Sequence, residues 1–174
     1  ASAFDPDHHK MYVYGGVGAD YQPQNTAEEG DLSGTALSIG WRTLAAGSAR
    51  SLVGASGAFR ARGADSDDSA AYFVGGMANP QSGNTTNDLQ RYRVKARSWE
   101  RVTVGNASEF KNRVFASAAY DPLHDVIWVV GGIANCSLPT VIGGGNCPAR
   151  PLATQYLTWD AATGEPRWNT LSGG

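Results

Sequence analysis

One short pattern recurs three times along the chain and constrains the fold more than any other feature. Each copy opens on an aromatic residue and closes on a glycine pair, at positions 15–16, 75–76 and 131–132. The first and third copies, FDPDHHKMYVYGG and YDPLHDVIWVVGG, share an Asp-Pro-x-His turn, and the second, Phe59 to Gly76, has a longer turn. A period of roughly 56 to 60 residues predicts a chain built from equivalent structural units.

The sequence pattern of each unit predicts four short strands. The segment before the glycine pair is aromatic and β-branched, as in MYVYGG, which favours a buried strand. A polar loop follows, then a strand, a tight turn and a tryptophan, which is Trp41, Trp99 or Trp168. The chain also has 22 glycines and 8 prolines among 174 residues, which leaves few uninterrupted runs for long helices. Four-stranded units at this period predict an all-β fold of the β-propeller kind.

The chain has a strand that ends in Gly-Gly, the later Tyr92, and Trp99 seven residues after it. In these features it resembles the kelch-repeat family of the galactose-oxidase superfamily. The resemblance covers nearly the whole chain, although the first unit lacks a clear tyrosine ahead of Trp41. It implies a propeller segment of about three four-stranded blades, at approximately 1–47, 48–104 and 112–172. Because propellers typically close with four to eight blades, we expect a part of a larger, six- or seven-bladed propeller. The other blades would lie in the same polypeptide, in a cleaved second chain or in a symmetric copy.

The resemblance also implies a ligand face, formed by the loops between the second and third strands and by the links between blades. These loops are 17–34, 77–88 and 133–153. Arg50 and Arg113 each precede the first strand of a blade by a similar distance, and Arg150 lies in the third loop. These arginines are the candidates for holding a carboxylate or phosphate at this face. The alternative is that each pairs with an acid or a backbone carbonyl of a neighbouring blade.

The two cysteines and three glycosylation sequons indicate the cellular compartment of the protein. Cys136 and Cys147 are the only cysteines and share one loop, which favours a local disulfide. Glycosylation sequons begin at Asn84, Asn106 and Asn135, all in predicted loops. Together these features predict a glycoprotein that is extracellular or in the secretory pathway. The alternative is a cytosolic protein with unmodified sequons.

Net charge and composition argue against several classes of function. The net charge is −2 and no basic stripe is present, which argues against nucleic-acid binding. No apolar run approaches the length of about 20 residues that spans a membrane, so direct membrane insertion is not expected. His8 and His124 occupy the same place in a repeated turn, which favours a structural role. No catalytic set, metal site or cofactor is predicted from these patterns.

We therefore expect a non-catalytic module that binds a protein or glycan through its loops, or the remaining blades through its sheets. The alternative is a fragment of a secreted carbohydrate-active enzyme or of a copper-radical oxidase of the galactose-oxidase type. The copper ligands of such an oxidase, two tyrosines and two histidines, cannot be placed on this sequence.

Overall fold

The computed structural model describes residues 1–34, 39–45, 50–63, 66–134 and 152–171. The first sheet contains β1 (Ser2–Asp5), β2 (Lys10–Tyr14), β3 (Ala27–Asp31) and β4 (Gly40–Leu44). Next along the chain come β5 (Ser56–Arg60), β6 (Ala70–Val74), the hairpin β7 (Met77–Asn79) and β8 (Asn84–Thr85), then β9 (Leu89–Arg93) and β10 (Ser98–Arg101). A 3-10 turn (Ala107–Glu109) leads to β11 (Ser117–Asp121), β12 (Val126–Val130), β13 (Gln155–Trp159) and β14 (Pro166–Thr170).

The strands form three four-stranded antiparallel meanders. The sheet orders are β1-β2-β3-β4, β5-β6-β9-β10 and β11-β12-β13-β14, and β7-β8 is a separate hairpin. The three sheets fall within the segments 1–47, 48–104 and 112–172. The all-β prediction is confirmed, and no helix in the described part of the chain has the length and apolar character of a membrane span.

Successive sheets pack face to face in chain order, and the middle sheet is buried on both sides. One side of it places Phe59, Phe73 and Trp99 against the first sheet. The other side places Tyr72 and Leu89 against the third sheet. The first strands are neighbours, since β5 lies beside both β1 and β11. Sheets that share one line of first strands and stack in sequence order are compatible with a β-propeller.

The glycine pairs connect each sheet to the segment that enters the next sheet. Gly15 and Gly75 have φ angles of +67° and +71°, and a Cβ atom on either would lie 2.4 Å or 2.6 Å from a backbone oxygen. The next glycine donates its N–H to that same oxygen, as Gly76 does to Arg113 O at 2.8 Å. Positive φ and a close backbone contact together explain why glycine is repeated here.

The repeated Asp-Pro-x-His turn is closed by its own side chains. Asp5 Oδ1 accepts backbone N–H groups within the turn, and Asp5 Oδ2 lies 2.8 Å from His8 Nδ1. Asp121 and His124 repeat this arrangement at 2.7 Å. An aspartate that accepts N–H groups two and three residues ahead stabilises a tight turn. The two histidines thus have the structural contacts that their repeated position indicated.

The prediction of a continuous loop over 17–34 is wrong, because β3 lies within it. This strand, Ala-Glu-Glu-Gly-Asp, has low intrinsic strand propensity. It is held by ion pairs to both neighbours, Lys10 Nζ to Asp31 Oδ2 at 2.5 Å and Arg42 Nη2 to Glu29 Oε2 at 3.0 Å. Part of the second predicted loop, 77–88, is likewise the hairpin β7-β8, and most of the third lies outside the described residues.

Candidate functional site

The loop face is the end of the sheets that carries the glycine pairs, and Arg50 lies on it just before β5. Its Nη1 donates to Asp88 Oδ2 at 2.7 Å, and its backbone N–H donates to Gln90 Oε1 at 2.8 Å. The other carboxylate oxygen of Asp88 lies 2.5 Å from Nη2 of Arg101. We call Arg50 and Arg101 the arginine pair, because one carboxylate holds both guanidinium groups.

The arginine pair is exposed while the carboxylate that holds it is buried. The Arg50 and Arg101 side chains are 49% and 63% exposed, whereas that of Asp88 is 1% exposed. Two positive charges share one negative charge, so the cluster has a net charge of about +1, and each guanidinium has further N–H donors beyond the one that contacts Asp88. A cavity of about 200 Å³ adjoins Asp88 and Arg101. The cluster can therefore offer charged donors to an anionic group.

Arg113 does not face solvent. Its side chain is fully buried, and its guanidinium lies 5.0 Å from the Phe110 ring centroid. The guanidinium donates at 2.5–3.1 Å to the carbonyl oxygens of Lys111, Gly131 and Ala153 and to Oε1 of Gln155. Burial lowers the pKa of Arg113 from its ordinary value. The side chain thus anchors the segment before β11 to the third sheet. Its partners Gly131, Ala153 and Gln155 belong to its own unit, not to a neighbouring one as the alternative had it, and no donor faces a ligand.

Arg50 and Arg113 are not equivalent between repeats. The backbone N–H of Lys111 donates to Gln155 Oε1 at 2.8 Å, just as that of Arg50 donates to Gln90. In the same way, the carbonyl of Arg113 and that of Leu52 each accept from the second glycine of a pair. Arg50 therefore corresponds to Lys111, and the related positions inferred from the sequence are wrong by two residues. The distances to the next aromatic, nine and seven residues, were the signal for this offset.

Several predicted site residues lie outside the described part of the chain. They are Arg150, Asn135, Cys136 and Cys147. The disulfide and the role of Arg150 stay predictions.

The two remaining sequons differ in their surroundings. Asn84 is exposed in β8. Asn106 is engaged internally, because its Nδ2 donates to Trp168 O at 2.8 Å and its Oδ1 accepts from Trp168 N at 2.9 Å. A glycan on Asn106 would have to break this pair of hydrogen bonds, whereas Asn84 offers an open acceptor position.

Asp88 and Arg101 were not among the predicted site residues. Asp88 is a single acid before a strand, and Ala153 takes its place in the third unit, so no repeated pattern marks it. Arg101 lies on the outermost strand, after a stretch in which charged and uncharged residues alternate, a pattern typical of a solvated face. Only the fold brings these two residues together with Arg50.

The opposite end of the sheets, the turn face, carries an ionic cluster that the sequence did not indicate. Arg60 donates through Nε and Nη2 to both oxygens of Asp125 at 2.8 and 2.7 Å. Its guanidinium lies 3.6 Å from the Trp159 ring centroid, and Tyr120 donates to Asp125 Oδ1 at 3.0 Å. The hydrogen bond from Arg60 lowers the pKa of Asp125. This cluster joins the second sheet to the third and is internally satisfied.

Within the described ranges, no three His, Cys, Asp or Glu side chains lie close enough to hold a metal ion. The rings of His8 and His124 are each bonded to an aspartate of their own turn.

The fold, unlike the sequence, has counterparts among known proteins. No family model and no curated protein matches the chain. Among solved structures, 103 chains match, including that of YjhT with a TM-score of 0.63 and 12% identity. That match covers 97% of this chain and 44% of the YjhT chain, so this chain spans less than half of its structural neighbour. At this identity the likeness shows the fold alone.

Proposed function

We propose that the three sheets are consecutive blades of a larger kelch-type propeller. The support is the exposure of equivalent tryptophans. Trp99 and Trp168 are 7% and 2% exposed, because each packs toward the preceding sheet. Trp41 occupies the same place in the first sheet, where no preceding sheet is described, and is 48% exposed.

The far side of the third sheet shows the complementary pattern. Val130 is 50% exposed, whereas its equivalents Tyr14 and Val74 are buried against the following sheet. Trp128 and Tyr156 lie side by side on the same outer face, with ring centroids 4.8 Å apart and the ring planes tilted by 43°. Each end face thus presents apolar side chains at positions that are interior elsewhere in the molecule, and exposed patches of this kind mark interaction surfaces.

Further sheets of the same repeat suit these two faces best. If a sheet equivalent to the second one packed against the third, its aromatic rings would cover Trp128 and Val130. The rings of the second sheet cover Tyr12 and Tyr14 in the same way. The YjhT match leaves more than half of that chain unmatched, which is length enough for at least three more such sheets. The remaining blades are thus the partner we propose for the end faces.

We further propose that the module is non-catalytic and binds an anionic protein or glycan at the loop face. The arginine pair carries this proposal. A buried carboxylate positions both guanidinium groups in advance, which reduces the side-chain ordering that binding requires. Guanidinium groups form strong charge-assisted hydrogen bonds with carboxylates and sulfates. An extracellular or secretory setting, indicated by the cysteine pair and by Asn84, fits such a partner and stays part of the proposal.

Replacing either Arg50 or Arg101 by alanine is expected to weaken binding to an anionic ligand by about tenfold, since each variant removes charge-assisted hydrogen bonds. Polyglutamate and heparin serve as the probes for an acidic protein and an anionic glycan, and surface plasmon resonance measures the affinity. Added salt should weaken binding, because the two guanidinium groups are exposed.

The matched control is Arg62→Ala, which removes one charge from a side chain that is 44% exposed on the turn face. Its affinity for either probe should stay near that of the unmodified protein. Equal losses in Arg62→Ala and in the variants of the arginine pair would attribute the binding to net charge and overturn the proposed site. Unchanged affinity in both Arg50→Ala and Arg101→Ala would overturn it as well.

A further inference from the structure

A buried hydroxyl without a partner borders a cavity between the first and second sheets. Tyr12 is 1% exposed, and its hydroxyl makes no hydrogen bond with any described residue. Its ring is fixed between Phe59 and Tyr92, at centroid distances of 5.8 and 5.6 Å. The cavity measures about 330 Å³ and opens at the turn face between the β1-β2 and β9-β10 turns. A fixed, unsatisfied hydroxyl at a cavity wall costs free energy unless something occupies the cavity.

The equivalent hydroxyl in the second sheet, that of Tyr72, has a hydrogen-bond partner, whereas that of Tyr12 has none. Strand pairing gives equivalent cross-strand rows of three residues, Tyr72-Arg91-Glu100 and Tyr12-Glu29-Arg42. In the second sheet, Arg91 Nη1 donates to the Tyr72 hydroxyl at 3.1 Å. In the first sheet the charges of the row are reversed, and Glu29 is engaged by Arg42 at 3.0 Å. The reversal leaves the buried Tyr12 hydroxyl without a hydrogen-bond partner.

Tyr12 can act only as a neutral donor or acceptor. Burial, followed by the nearby Glu29 carboxylate, raises the pKa of Tyr12. The hydroxyl therefore keeps its proton at neutral pH and can donate to an acceptor in the cavity.

The unpaired charge at the cavity is positive and lies at its rim. Three cationic side chains, those of Lys10, Arg42 and Arg97, line it together with one carboxylate, that of Glu29. Lys10 and Arg42 already pair with acids of the first sheet. Arg97 is exposed at the rim, in the β9-β10 turn, and forms no ion pair with the residues that the structure describes. Its guanidinium donors are thus available to a ligand.

We propose that this cavity binds a small oxyanion, with Arg97 at the rim and the Tyr12 hydroxyl at the wall. The shared chemistry is a carboxylate, sulfate or phosphate group. The site lies on the turn face, at the opposite end of the sheets from the arginine pair, and is independent of it.

Isothermal titration calorimetry with acetate, sulfate and inorganic phosphate, in a chloride buffer of constant ionic strength, tests the proposal. At least one oxyanion should bind with 1:1 stoichiometry, and the one that binds identifies the group. Tyr12→Phe should weaken this binding by about tenfold, because it deletes one donor without changing the ring packing. Arg97→Gln should weaken it at least as much.

Tyr72→Phe is the matched control, since it deletes the equivalent hydroxyl, which already has a partner. Its oxyanion affinity should equal that of the unmodified protein, as should that of Arg50→Ala on the loop face. Equal affinity in Tyr12→Phe and Tyr72→Phe would overturn the proposal, and so would heats no larger than those of chloride. Because Arg50 is outside this site, failure here and failure of the loop-face proposal are distinguishable.

Discussion

Replacing Arg113 by alanine is expected to lower the free energy of unfolding by about 3–5 kcal/mol. The substitution removes the Arg113 donor from three backbone carbonyls in a buried position and leaves Gln155 Oε1 with only the Lys111 N–H. It also opens a cavity beneath Phe110, because the guanidinium lies 5.0 Å from that ring centroid. Urea unfolding followed by tryptophan fluorescence measures the loss.

Two further variants separate the loss of the Arg113 hydrogen bonds from the loss of its volume and its charge. Arg113→Leu introduces the residue found at the equivalent position 52, so it restores apolar volume but not the donors. It should still be destabilised by more than about 2 kcal/mol. Arg50→Ala should lose less than Arg113→Ala, because it removes one donor from the buried Asp88 carboxylate, which keeps its ion pair with Arg101. A loss below 1 kcal/mol in Arg113→Ala would contradict the structural role given to this side chain.

Trp99→Ala is expected to cost about 3–5 kcal/mol, whereas Trp41→Ala in the monomeric 174-residue chain should cost less than about 1 kcal/mol. The Trp99 ring lies 4.8–5.5 Å from the rings of Tyr14, Phe73 and Tyr92, so its removal leaves a large cavity between two sheets. Trp41 has the same place in its repeat but is half exposed. Thermal and urea unfolding of the two variants give the comparison.

The contrast between these tryptophans tests whether a further blade packs against the first sheet. In a longer form of the protein that supplies another blade, Trp41→Ala should become as costly as Trp99→Ala. A large loss from Trp41→Ala in the monomeric 174-residue chain would show that its face is already covered. That result would contradict the proposal that a further blade packs there.

The parts of the fold that repeat were predictable from sequence. The glycine pairs with positive φ recur in all three copies and the Asp-Pro-x-His turn recurs in two, because the same local geometry requires the same residues. Strand β3 was not predictable in this way. Its Ala-Glu-Glu-Gly-Asp sequence has no β-branched or aromatic residue, and cross-strand ion pairs with Lys10 and Arg42 hold it in the sheet.

The candidate site was predictable only in outline. Arg50 was identified from its place in the link before the first strand, but the buried Asp88 and its second partner Arg101 belong to different strands and follow no repeat. Arg113 has the same residue type as Arg50 and nearly the same spacing, yet a shift of two positions along the link places it in the interior. Residue type and spacing alone do not show which side of an extended segment faces the core.

Sedimentation equilibrium of the 174-residue chain tests most directly whether these sheets are blades that need neighbours on both sides. Two uncovered apolar end faces predict that the chain self-associates at micromolar concentration, with Trp41 and Val130 protected in the associated form. Charged substitutions at these two positions, Trp41→Lys and Val130→Lys, should then shift the equilibrium toward monomer. A stable monomer of 18.3 kDa that binds no apolar dye and unfolds cooperatively would contradict the proposal of a larger propeller.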